Sequence, residues 1–159
     1  PYTTLFRSIG VSRTDVFFDK EYIDAGKNSI RKKYNIPESK RVILYAPTFR
    51  GNVQEAQSPS LLDVKSMYEG LGENYVILFK GHPAVKSSPD ISGVYSHFFI
   101  DAAEEKIETL MCASDCCITD YSSLIFEYSL LGKPMFFYAY DYKEYVTDRG
   151  FYYEYWVNG

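Results

Sequence analysis

Much that would point to a familiar function is missing from this sequence. It has no Cys-x-x-Cys pair; Cys112, Cys116 and Cys117 stand in apolar context. They read as buried, reduced thiols of a cytosolic protein, not as metal ligands. It has no surplus of positive charge: 17 Lys and Arg against 21 Asp and Glu leave a formal net charge of −4. Binding of DNA or RNA rests on phosphate neutralisation by Lys and Arg, so no nucleic acid partner is expected. A nucleotide ligand needs only a few local cations and stays open. No apolar run is long enough to span a bilayer, and no signal peptide is recognisable. There is no G-x-G-x-x-G and no Walker A loop, so an ordinary dinucleotide or ATP site is not indicated. There is no Asp-x-Asp, which removes support for a metal-dependent transferase of that style. The pair Glu104/Glu105 reads as a helix start complementing the dipole. Neither a metal nor a cofactor is expected.

What is present is aromatic and alternating. The chain has 159 residues, 16 Tyr and 11 Phe, a length that suits one domain with one sizeable core. Residues 1–8, P-Y-T-T-L-F-R-S, have no initiator Met and look like a translated sequencing-adapter tail. They are expected to be non-native and the chain a gene fragment, with an N-terminal domain of the same parent chain missing. Residues 9–19 are expected to be an interdomain linker, and 20–159 a truncated nucleotide-binding domain. Continuous apolar runs predict buried strands at 41–46 and 75–79, with shorter ones at 97–100, 116–118 and 134–138. Between them come helical stripes at 20–34 (broken near Gly26), 60–71 and 104–113, a helix after residue 123, and a short one at 141–145. Strands alternating with helices argue for an α/β fold, a Rossmann-like parallel sheet flanked by helices.

One stretch, I-T-D-Y-S-S-L-I-F-E-Y-S-L-L-G-K-P at 118–134, organises the rest. It reads as a strand end, a hydroxyl-rich turn and a helix stopped by Gly132 and Pro134. Ligands of parallel sheets bind at the carboxyl ends of the strands. That rule gathers Thr48 and Arg50 after the first strand, Lys80 and His82 after the second, and Asp120, Ser122 and Ser123 after the fourth. Ser122, Ser123 and Asp120 suit either a helix cap or a phosphate. Glu127 is either a surface carboxylate or one turned to the crevice, where a sugar diol is a natural partner. His82, in G-H-P, either binds or protonates a phosphate or bonds its own loop. Arg50 and Lys80 are either surface cations or the positive charge a diphosphate needs.

V-I-L-Y-A-P-T-F-R at 42–50, F-K-G-H-P at 79–83, I-T-D-Y-S-S-L-I-F-E at 118–127 and D-R-G-F-Y at 148–152 resemble the CDP-glycerol glycerophosphotransferases, the teichoic acid polymerases and primases. G-V-S-R-T-D at 10–15 is similar to the segment joining that family's two halves, with Ser12 in place of its usual Pro. The resemblance implies the C-terminal, donor-binding half of a glycosyltransferase-B-like fold. It implies transfer of glycerol phosphate from CDP-glycerol, the donor, to a hydroxyl of a polyol-phosphate polymer acceptor, with release of CMP. It places catalytic His82 and the Asp120, Ser122, Ser123 turn on the diphosphate, Arg50 and Lys80 against charge on the leaving CMP, and Glu127 on the ribose. It implies a cytoplasmic location at the inner membrane face, with peripheral membrane contact only through the parent chain. Two other readings stand beside it: a CDP-ribitol or nucleotide-sugar transferase of the same architecture, and a non-catalytic nucleotide-binding half-domain. The aromatic run 151–156 reads as a surface for the missing domain or for a membrane.

Overall fold

The structure, a computed structural model, describes residues 12–51, 56–59, 62–85 and 93–150. The expected tail at 1–8, residues 9–11 of the expected linker and the aromatic run at 151–156 lie outside these residues. Five parallel strands form one sheet: β1 (Arg41–Tyr45), β2 (Tyr75–Phe79), β3 (Phe99–Asp101), β4 (Cys116–Thr119) and β5 (Met135–Phe137), in the order β3-β2-β1-β4-β5. The central strands are apolar throughout because both faces are covered. Val42, Leu44, Val76 and Leu78 enter a core with Ile30, Leu110, Met111 and Tyr128, while Ile43, Tyr45, Ile77 and Phe79 enter another with Phe98 and Phe99.

The first core lies under α1 (Lys20–Lys33) and α3 (Ile107–Ala113), and the second under α2 (Val64–Leu71). Asp19 caps α1 through the Glu21 and Tyr22 amides at 2.9 and 3.2 Å, and Asp63 caps α2 through the Ser66 amide at 3.1 Å. The break expected at Gly26 is absent, since α1 runs through it. A Cβ there would stand 3.5 Å from Thr109 Cγ2 and 3.7 Å from Cys112 Cβ, ordinary contact distances, so this buried glycine packs against α3 without ending α1 and without being required by the approach. The described part of the expected linker has regular structure. Ser12–Phe18 is a 3-10 helix, and its Phe17 is buried in the first core.

After β4 come α4 (Leu124–Tyr128), a 3-10 turn (Ser129–Leu131) and Gly132 at φ 64, the left-handed stop expected there. Lys133 then donates to three carbonyls at the end of α3, those of Met111, Cys112 and Ser114, at 3.1, 2.9 and 2.6 Å. The chain ends its described course in α5 (Tyr142–Asp148), longer than the 141–145 helix expected. Cys112 and Cys117 are buried and Cys116 half-buried, all three free. Burial pushes the Cys117 thiol up to about 12, so it is an inert, protonated side chain.

Candidate functional site

In this strand order the chain steps from β1 to β2 and β3 in one direction and returns to β4 and β5 in the other. The reversal lies between β1 and β4, where an open parallel sheet leaves a crevice at the strand ends. The loop leaving β1 is fixed there by residues leaving β4. Buried Thr119 donates its hydroxyl to the Ala46 carbonyl at 2.7 Å, and the Ala46 amide donates to Ile118 O at 3.0 Å. Asp120, 2% exposed, accepts from the Thr48 amide at 2.8 Å and its neighbour Tyr121's amide at 2.7 Å, and from Arg50 Nη2 at 2.9 Å.

Arg50 is the hub of this lock. Its Nε and Nη2 donate to Asp141 at 2.5 and 3.0 Å, and its Nη1 to Thr48 O at 2.6 Å. The guanidinium also lies 5.2 Å from the ring centres of both Tyr121 and Tyr145, which stack at 3.9 Å. Burial opposes its charge, but the hydrogen bonds and charges of Asp141 and Asp120 outweigh that and raise its pKa further. Burial likewise pulls the Asp141 carboxyl up, and Arg50 with the Tyr121 hydroxyl holds it below the ordinary carboxylate range. One cation thus stands between two carboxylates.

Two cavities open beside the lock. The larger, about 610 Å³, is lined by Pro47, Thr48, Phe49, His82, Tyr121, Ser122, Ser123, Phe126, Tyr145, Arg149 and Gly150. The smaller, about 330 Å³, is lined on one side by Lys80, Gly81, His82 and Pro83 and on the other by Glu105, Lys106, Ser122 and Leu124, among others. Both volumes fall in the small-molecule range. His82 and Ser122, with Pro47, line both, so they belong to the wall the two cavities share. His82 is exposed, with its ring 4.6 Å from that of buried Phe49. Its Nδ1 accepts from the Ala84 amide at 3.1 Å, which puts the proton of the neutral ring on Nε2. Partial burial, and then the charge of Arg149, hold its pKa below the ordinary value. The site can therefore offer a neutral N–H donor, two serines and one side of aromatic rings to an elongated polar ligand.

The residues singled out in the sequence meet at these strand ends, but not in equal positions. His82, Ser122 and Ser123 line the larger cavity, and Lys80 the smaller. Ser122 Oγ accepts from the Leu124 amide at 3.2 Å, so it caps α4 and faces the cavities at once. Lys80 Nζ donates to Ala103 O. Arg50 and Asp120 line neither cavity; they build the wall behind Thr48. Glu127 lines neither as well, and its carboxylate takes the Arg13 guanidinium from the 3-10 helix. Thr48, gathered at the strand ends by the sequence, does line the larger cavity, while Tyr121, Tyr145 and Arg149 were not among the sequence candidates for the site. Gly150, left-handed at φ 67, is the stop signal that places Arg149 at the end of α5 on the cavity rim. Among the described residues no group of His, Cys, Asp and Glu is arranged to hold a metal, and no helix is long and apolar enough to cross a membrane.

Fold and site together describe a Rossmann-like α/β unit with a polar cleft at its switch point. Over residues 3–158 the sequence matches the model of the CDP-glycerol:poly(glycerophosphate) glycerophosphotransferases, and the chain belongs to that family. It is 45% identical over 149 residues to a teichoic acid poly(ribitol-phosphate) polymerase of Bacillus spizizenii, covering 92% of this chain and 24% of the relative. It is 41% identical over 144 residues to a teichoic acid glycerol-phosphate primase of Bacillus subtilis, covering 89% of this chain and 35% of that one. A solved structure of the wall teichoic acid polymerase TagF superposes with a TM-score of 0.76 at 36% identity, over 94% of this chain and 38% of that chain. A variant of that polymerase soaked with CDPG superposes at 0.77 with 39% identity, over 94% of this chain and 37% of that one. The chain thus spans roughly a quarter to two-fifths of the length of these relatives, and its fold is the one the sequence resemblance implied.

Proposed function

We propose that this chain forms the donor side of a transferase that moves glycerol phosphate from CDP-glycerol to a hydroxyl of a membrane-linked teichoic-acid-type polymer, releasing CMP. One observation carries this reading: His82 and Ser122 line two adjacent cavities at once at the sheet's switch point. A CDP-polyol has that shape, a nucleoside and a polyol joined by a diphosphate. The nucleoside sits in the larger cavity against Phe49, Phe126 and the Tyr121–Tyr145 stack. The polyol phosphate sits in the smaller, near Lys80 and Lys106, and the diphosphate crosses at His82, Ser122 and Ser123.

In the reaction the acceptor oxygen bonds to the polyol-side phosphorus. The bond from that phosphorus to the bridging oxygen breaks, and the oxygen leaves on CMP. The second proton of a phosphate monoester has a pKa of about 6, so CMP leaves without needing a full proton at neutral pH. The Nε2–H of His82 is suited to donate to the oxygens that gain charge, and transfer of this kind depends mostly on positioning and electrostatics. The base that deprotonates the acceptor hydroxyl belongs to another part of the parent chain. There the protein works at the inner face of the membrane, with residues 9–19 as the link to the partner domain. A CDP-ribitol donor is the second reading, supported by the ribitol-phosphate polymerase among the relatives.

Calorimetry tests both. CDP is expected to bind this chain better than UDP, CDP-glycerol better than CDP-ribitol, and neither donor to be turned over by the chain alone. Equal affinity for CDP and UDP, or steady CMP release, would count against the proposal. A preference for CDP-ribitol would select the second reading.

A further inference from the structure

We infer that Arg149 and the Thr48 hydroxyl, rather than Arg50 and Asp120, join His82, Ser122 and Ser123 in contacting the phosphates of a nucleoside diphosphate on the larger cavity's side. The inference rests on the donor-site reading above and assigns its charge. A diphosphate needs net positive charge at its oxygens. The Arg50 cluster cannot give it, since one guanidinium is shared by two carboxylates and already makes four hydrogen bonds. Arg149 is the one Lys or Arg among the described residues lining the larger cavity. It is exposed and its guanidinium lies 4.3 Å from the Phe49 ring centre. It gives one hydrogen bond, to Gly51 O at 3.1 Å, out of five N–H donors. Phe49 touches His82 as well, so one buried ring sets both cationic and N–H donors on the same rim.

Thr48 supplies the second observation. Its Oγ1 is buried and has no hydrogen-bond partner, yet the residue lines the cavity. A buried hydroxyl without a partner is costly unless a ligand completes it. The backbone around it is held at both ends, its amide by Asp120 and its carbonyl by Arg50. The lock therefore acts as a positioning device: Arg50 and Asp120 fix Thr48, and Thr48 meets the ligand.

The test is calorimetric titration of the 159-residue chain with CDP and with CMP, each variant first checked for an unchanged circular dichroism melt. Arg149→Gln is expected to weaken CDP about tenfold or more, as loss of a charged hydrogen bond does, and to reduce the preference for CDP over CMP. Arg149→Lys, which keeps the charge without the fork, is expected to fall between. Thr48→Val is expected to weaken CDP about fivefold. If the unaltered chain binds CDP and Arg149→Gln or Thr48→Val binds it within twofold of the same affinity, the inference is overturned while the donor-site reading stands. If the folded, unaltered chain binds no CDP at all, the donor-site reading fails and this inference falls with it.

Discussion

Arg50 and Arg149 flank one cleft and do opposite things. Arg50 leaves the loop after β1 with its side chain 17% exposed and two carboxylates around it. Arg149 leaves the end of α5 exposed, with one carbonyl and the edge of an aromatic cluster. The first holds the protein together, and the second is left able to hold something else. What separates them is the number of acids within reach, because a cation already neutralised inside the protein has little left for a phosphate.

Changing the two arginines is the sharpest way to probe that contrast. Arg50→Ala leaves Asp120 and Asp141 without their cation and is expected to cost about 3–5 kcal/mol of stability, read as a drop in the urea midpoint at constant slope. Arg50→Lys is expected to rescue little, since Lys cannot reproduce the fork on Asp141. Asp141→Asn should cost less, about 1–3 kcal/mol, because Asp120 still pairs Arg50. Asp141 also sets an acid limit. Its folded pKa lies below the ordinary value, so its contribution is complete above about 4 and is lost as pH falls through the folded value. Asp141→Asn should flatten that part of the stability curve. Arg149→Gln, by contrast, is expected to leave stability within about 0.5 kcal/mol. A large loss there would erase the contrast.

The smallest effect is on His82. Its folded pKa lies below about 6.5, so the neutral ring is favoured in the fold. Stability associated with it is complete above about 6.5 and declines as pH falls through the folded value, because the unfolded chain takes the proton first. A proton NMR titration of the ring should show a midpoint below 6.5 that rises when Arg149 is replaced by Gln. An unmoved midpoint would place Arg149 too far away to act on the same ligand.

The centre of the sheet was legible because β1 and β2 are buried on both faces and so read as apolar runs; 75–79 matches β2 residue for residue. The turn at 118–123 was legible for the same reason, with a polar break between an apolar strand and helix. The partnerships within the site were not. Arg50 meets Asp120 and Asp141 across 70 and 91 residues, and no local pattern says which strand-end cation will find an acid. Arg149 was hidden by a different cause, since its place depends on where α5 stops. Gly26 misled because a glycine buried in mid-helix looks, in sequence, like one that ends its helix.

The central claim is that the cleft between the loops after β1, β2 and β4 holds a nucleoside diphosphate. Nitrogen-15 NMR of the chain titrated with CDP tests it most directly. Shifts are predicted at Thr48, Phe49, His82, Ser122, Ser123 and Arg149, with little change at Tyr34, Lys40 and His97 beside the separate cavity at the opposite end of the sheet. Shifts confined to that second group, or none at saturating CDP in a folded sample, would contradict it.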